Sequence, residues 1–439
     1  MVLRRSAWSA GVLAVLLVAM LLQVPGVLAA PVARADETAP KAAATEEQAA
    51  RAAAESGEPV EVLAERGETR TVRALPNGRM EVEEHIRPIR TRKDGTWADI
   101  DTNLHRSGDA VVPGATTVGL AFSGGGSGPM VQMTRAGHKL ALTWPQALPE
   151  PTLDGDTATY AGVLGAGVDL QLRAQADGFA HILVVKTPEA AKDPRLVQLA
   201  LALSVPGLSV AQEQASGVLT AKTASGGGVF EAPAPMMWDS TKAPAGDGSA
   251  TATTPQARSM DTDQGPAEGA KSAPVKVTVS DGKLTLTPDQ ELLTGANTTF
   301  PVYIDPVWAT IRSSHSGMVS SGYPDQSYYD FNGKSTEGVG RCEVAKDGNC
   351  VKDQTKRLFY QMKLPSLKGR YVEAVSFTAY ETGAYDCNND TSIQLWRTLA
   401  LKSYATWNNT DPFSTCVELA VLEDVDGLGQ VTGPVRAAT

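Results

Sequence analysis

From Val60 onward the apolar residues of this chain fall at alternate positions in short runs, and turn-forming pairs separate the runs. Leu140–Ala141–Leu142–Thr143–Trp144, Val168–Asp169–Leu170–Gln171–Leu172 and Val275–Lys276–Val277–Thr278–Val279 carry the pattern. A strand sends successive side chains to opposite faces, so a period of two marks a sheet with a buried face. Asn77–Gly78, Asp94–Gly95, Asp177–Gly178 and Asp281–Gly282 lie between such runs, and each pair suits a tight turn. Long stretches with helical spacing of apolar residues do not occur after residue 60, which argues against a parallel α/β arrangement. The expected fold class is all-β.

Two segments break the pattern. Residues 36–58 are rich in Ala and Glu and hold no aromatic residue, so they are expected to form a flexible or weakly helical spacer. Residues 239–274 are mostly Gly, Pro, Ala, Ser and Thr, the composition of a disordered insertion or linker. These breaks divide the chain into a β-rich N-terminal domain at 59–305 and a smaller domain at 306–439. The aromatic residues support the second boundary, because 15 of the 25 follow Asp305. In that last part Leu358, Tyr360, Met362 and Leu364 would share one strand face. Val375, Phe377 and Ala379 would share another, as would Ile393 and Leu395. A jelly-roll-like β-sandwich is expected there.

The first residues add a location. Arg4 and Arg5 precede an uncharged stretch from Ser6 to Ala33, apolar from Gly11 to Leu22 and ended by Pro25–Gly26. Small residues suited to cleavage follow, so residues 1–35 read as a signal peptide and the chain as secreted or held at the cell surface. No later segment is apolar enough to remain in a membrane once the signal is removed. The net charge of −10 argues against a nucleic-acid partner, which requires a basic face. In an exported chain the four cysteines, Cys342, Cys350, Cys387 and Cys416, read as disulfides. Three connectivities exist for four cysteines. The turn-like Lys346–Asp347–Gly348–Asn349 favours pairing Cys342 with Cys350, leaving Cys387 for Cys416.

Several motifs resemble one family. Phe300–Pro301–Val302–Tyr303–Ile304–Asp305–Pro306 is similar to the junction that introduces DNRLRE-type domains in actinobacterial secreted proteins. Ser321–Gly322–Tyr323–Pro324, the Cys342 and Cys350 pair, Gln394–Leu395–Trp396–Arg397–Thr398 and Thr406–Trp407–Asn408–Asn409 resemble the domain itself. Upstream, Asp94–Gly95–Thr96–Trp97, Gly167–Val168–Asp169–Leu170 and Met237–Trp238–Asp239–Ser240 are similar to the lead region of the same proteins. The resemblance spans roughly residues 60–410. It implies a wall-associated or LamG- or YD-repeat-linked secreted protein, with kinship to carbohydrate-binding modules. After Asn409 the resemblance implies further closing strands. Residues 410–439 contain no Trp or Tyr, and Glu418–Asp424 look out of register, so a C-terminally truncated member is expected.

No catalytic constellation is expected. His85, His105, His138, His181 and His315 form no zinc-hydrolase motif, and the run Gly125–Gly126–Ser127–Gly128 is no nucleophile elbow. The carboxylate pairs Asp99/Asp101 and Asp154/Asp156 read as solvated turn acids. Arg87, Arg90, Arg92 and Lys93 form the one compact basic cluster and read as a solvated turn. No cofactor is implied, although Asn388–Asn389–Asp390 and Asp424–Val425–Asp426–Gly427 offer oxygen ligands that leave calcium open. The expected function is therefore a non-catalytic module that binds an extracellular or cell-wall polysaccharide. Tyr323, Tyr328, Tyr329 and Phe331, in a loop-like Gly/Ser/Asp-rich stretch, are the expected stacking surface. Two alternatives stand beside it: a structural N-terminal piece of a larger wall-associated or YD-repeat protein, and an unrecognised polysaccharide-active enzyme.

Overall fold

The computed structural model describes residues 41–439 apart from 215, 242–264, 267–269, 313, 331–336, 346–351, 365, 367–368, 381–392, 411–416, 423–429 and 436–439. Strand accounts for 49% of the structure and helix for 8%, so the chain is all-β. Two large antiparallel sheets dominate. The first has eight strands in the order 276–280, 283–287, 199–204, 138–143, 131–135, 119–123, 110–115, 101–107. The second runs 152–154, 157–160, 168–175, 178–185, 307–310, 228–232, 219–222, 209–212, with 302–305, 236–238 and 272–274 joined at its side.

The two sheets share one apolar core. Leu140 and Leu142 of the first and Leu170 and Leu172 of the second are all fully buried in it. The alternation in the sequence is what builds this core, most plainly in Leu199–Ser204, where every second residue is buried. Gly178–Val185 lacks that alternation and is buried at all eight positions, as expected of a strand covered on both faces. Phe179, Leu183 and Val185 enter the shared core, while Ala180, Ile182 and Val184 pack with Trp238 and Tyr303 on the other side. The Trp238 and Tyr303 rings are stacked at 5.8 Å.

Three expectations change in detail. Of the flexible and weakly helical alternatives for 36–58, the helical one holds where the residues are described, as a packed element: Glu46–Ser56 is an α-helix. Thr45 caps it, Gly57 ends it in the left-handed conformation, and Glu46 and Glu47 face the positive end of its dipole. Ala49 and Ala53, one turn apart, are fully buried against Val60, Val62, Val72 and Ala74. Small Cβ groups let the helix lie close on a four-stranded sheet of Ala42–Ala43, Val60–Val62, Arg70–Ala74 and Met80–Glu84. Second, both ends of the expected disordered insertion are ordered. Ser272–Pro274 pairs with Met236–Trp238, and buried Asp239 accepts hydrogen bonds from the backbone N–H groups of Thr241, Lys271 and Thr299; 242–264 lie outside the described residues. Third, Asp177–Gly178 is not the turn pair. Ala176 and Asp177 form the turn, and Gly178 already belongs to the strand. A Cβ there would stand 2.2 Å from the Trp308 carbonyl oxygen, so glycine permits the close strand approach.

The expected boundary after Asp305 cuts across the second sheet. Val307–Thr310 pairs with Gly178–Val185 and with Gly228–Ala232, and Trp308 is buried in the shared core. The chain leaves the sheet only beyond Thr310. It then forms a four-stranded antiparallel sheet in the order 323–329, 315–320, 354–361, 340–342. Two strand pairs follow, Val375–Tyr380 with Gln430–Val435 and Ile393–Arg397 with Val417–Leu422. Val417–Leu422 overlaps the segment that looked out of register, and it is a paired strand. Cys342 ends one strand of the four-stranded sheet, whereas Cys350, Cys387 and Cys416 lie outside the described residues. Among the described residues no helix is long and apolar enough to cross a membrane.

Candidate functional site

Of the four aromatic residues expected to form a stacking surface, the three described ones, Tyr323, Tyr328 and Tyr329, lie on a strand and not on a loop. Tyr323–Tyr329 is a strand, hydrogen-bonded to His315–Ser320. Tyr328 turns inward, buried opposite the equally buried Met318. Tyr329 stacks on the His315 imidazole at 5.1 Å. Phe331 lies outside the described residues. Tyr323, like Tyr329, is half-buried, and the Lys352 ammonium lies 4.1 Å from its ring centroid.

A different neighbour joins Tyr323. Thr406–Trp407–Asn408–Asn409 closes on itself, because the Thr406 N–H donates to Asn409 Oδ1 at 2.7 Å and the Asn409 N–H to Thr406 Oγ1 at 3.3 Å. The turn is then docked on the Tyr323 strand. The Asn408 N–H donates to the Pro324 carbonyl at 3.0 Å, and Asn408 Nδ2 to Asp325 Oδ1 at 2.7 Å. Trp407 is half-exposed, with the Arg357 guanidinium 4.3 Å from its ring centroid. The Tyr323 strand, an edge of the four-stranded sheet, thus has the Thr406–Asn409 turn docked on it through Asn408, while Arg357 reaches Trp407 from the inner strand Gln354–Gln361. Buried Gly322 shapes this edge, since a Cβ there would press on Gln354 and on Cε of Lys352 at 3.2 Å.

A second constellation lies where the large sheets meet the four-stranded sheet. Asp177, from the Ala176–Asp177 turn, holds Arg312 through two bonds of 2.7 and 2.9 Å. Both side chains are nearly excluded from water. The Arg312 N–H donates to Glu231 Oε1 at 2.9 Å. Asp330, with φ of +45°, accepts the Ser316 N–H at 3.1 Å and an Arg87 contact at 3.3 Å through Oδ1. Its Oδ2 lies 2.8 Å from His315 Nδ1. Burial pushes the Asp330 carboxyl up, but the His315 bond and the guanidinium charges outweigh it and hold it below the usual range. Burial also acts on Asp177, and Arg312 likewise overrides it. Glu231 has weaker compensation, and burial raises it.

The basic cluster at 87–93 divides: Arg92 and Lys93 are exposed beside the Asp94–Gly95 turn, as a solvated turn requires, whereas Arg87 and Arg90 are half-buried with internal partners. Arg87 belongs to the junction, Arg90 bonds Thr71 and Glu61, Arg92 lies over Trp97, and Lys93 donates to the Gly114 carbonyl. The acid pairs make no facing dyad. Asp101 accepts from Asn103, and Asp156 accepts from Thr157. The possible calcium ligands at 388–390 and 424–427 lie outside the described residues. Glu231, His315 and Asp330 were not singled out together from the sequence. The signal present was a hairpin, which returns the chain from His315 to Asp330. The chain matches no family model, no curated protein and no solved structure.

Proposed function

We propose that the chain is a secreted or wall-associated, non-catalytic module that binds an extracellular or cell-wall glycan. The observation that carries this reading is that the turn bearing half-buried Trp407 is docked, through bonds from Asn408 to Pro324 and Asp325, on the strand bearing half-buried Tyr323. Flat rings fixed on a rigid sheet offer apolar faces to the C–H groups of a sugar. The Asp325 carboxylate and the Asn408 amide oxygen can accept from its hydroxyl groups, and the Lys352 ammonium and Arg357 guanidinium can donate to them. Rings fixed before binding lose little side-chain entropy when a ligand arrives. The export signal and the resemblance to DNRLRE-type proteins support the same reading from the sequence.

The test is retention of the purified, oxidised chain on insoluble peptidoglycan, chitin, cellulose and gelled alginate. Saturable retention on one polymer is expected. Trp407→Ala and Tyr323→Ala should each weaken it by about tenfold, or about 1.4 kcal/mol. A folded chain retained by none of these polymers refutes the reading for them.

A further inference from the structure

We propose that Glu231, His315 and Asp330 form a binding site for a divalent metal of the zinc class. The site would join the large sheets to the four-stranded sheet. Donor atoms of the three side chains all lie within 4.8 Å of one another. Zinc-class ions hold imidazole nitrogen and carboxylate oxygen at about 2.0–2.2 Å, so tetrahedrally bound donors stand about 3.3–3.6 Å apart. Closure by roughly 1–1.5 Å, within the reach of side-chain torsions, brings the set to bonding distance.

The surroundings are those of oriented ligands. Asp330 Oδ1 is held by the Ser316 N–H and Arg87, which leaves Oδ2 directed at His315. Glu231 Oε1 is held by the Arg312 N–H, which fixes the orientation of the carboxylate. Contacts of this kind fix carboxylate ligands and set their basicity. Arg312 Nη1 stands 3.9 Å from Asp330 Oδ2, beyond hydrogen-bond range, because its Nε and Nη2 are taken by Asp177. One nitrogen and two oxygen donors suit zinc, cobalt or manganese better than calcium, which takes oxygen alone. Three protein ligands leave one tetrahedral position for water.

The experiment titrates zinc, and then cobalt, into the chelator-treated, oxidised full chain, followed by calorimetry and thermal unfolding. One saturable equivalent and a melting point raised by several degrees are expected. The cobalt complex should show no thiolate-to-metal charge-transfer band, which separates this site from the cysteines. His315→Gln and Glu231→Gln should each weaken binding at least tenfold. Glu231→Gln leaves the His315–Asp330 bond in place, so it tests the site even if the other variant folds poorly. No saturable binding by a folded wild-type chain overturns the proposal. So does binding unchanged in both variants, or a thiolate band.

Discussion

His181 sits inside the central strand Gly178–Val185 with 1% of its surface exposed, and neither ring nitrogen has a hydrogen-bond partner. Burial alone lowers its pKa from 6.5 to about 3. In the unfolded chain the ring takes up a proton below pH 6.5, whereas the folded chain keeps it neutral until about pH 3. Protons therefore favour the unfolded state through this window, and stability falls as pH falls. Each pH unit in the window costs about 1.4 kcal/mol, so acidification from pH 7 to 4.5 removes roughly 2–3 kcal/mol through this one residue. The assay is urea unfolding at both pH values for the wild type and for His181→Leu, read by tryptophan fluorescence. Trp238 and Trp308 are buried on either side of this sheet and report on its loss. Asp177 and Asp330, both held low, also lose stability on acidification, but the variant keeps them, so the difference between the chains isolates His181. The wild type should lose roughly 2–3 kcal/mol more than His181→Leu. Equal losses would refute the claim that the imidazole is buried neutral and unpartnered.

Three other substitutions probe the frame. Arg312→Leu leaves buried Asp177 without its bidentate partner and should destabilise by about 3–5 kcal/mol in urea; a change under about 0.5 kcal/mol contradicts the junction as drawn. Asp239→Ala removes the acceptor shared by Thr241, Lys271 and Thr299, and a loss of about 2–4 kcal/mol is expected in the same assay. Gly178→Ala places a methyl group on the Trp308 carbonyl and should cost at least about 1–3 kcal/mol. A neutral Gly178→Ala would mean that the strand carrying Trp308 does not lie against Gly178.

What the sequence disclosed and what it hid follow from the range of the physics involved. Alternation is local, and it correctly placed runs such as Leu140–Thr143 and Val168–Leu172 in strands, because side-chain direction depends only on the neighbouring residues. Composition left 46–56 between a flexible and a weakly helical spacer and did not show the packing: Ala49 and Ala53 are buried because their smallness lets the helix lie flat on a sheet. Tyr323, Tyr328 and Tyr329 looked equivalent in a Gly/Ser/Asp-rich stretch, yet strand geometry and packing set their fates apart. The pairing of Tyr323 with Trp407 and of Asp330 with Glu231 depends on which strands become neighbours. Periodicity does not carry that choice, because any two amphipathic strands bury a face equally well. One clue did lie in the sequence. His315 and Asp330 flank two strand-like runs joined by Ser321–Gly322, and an antiparallel return brings such flanking residues to the same end. Glu231 reaches them only because Gly228–Ala232 pairs with Val307–Thr310, after which the chain passes through Arg312 directly into the His315 strand. The junction is thus assembled by strand order, and its chemistry becomes visible only once that order is known.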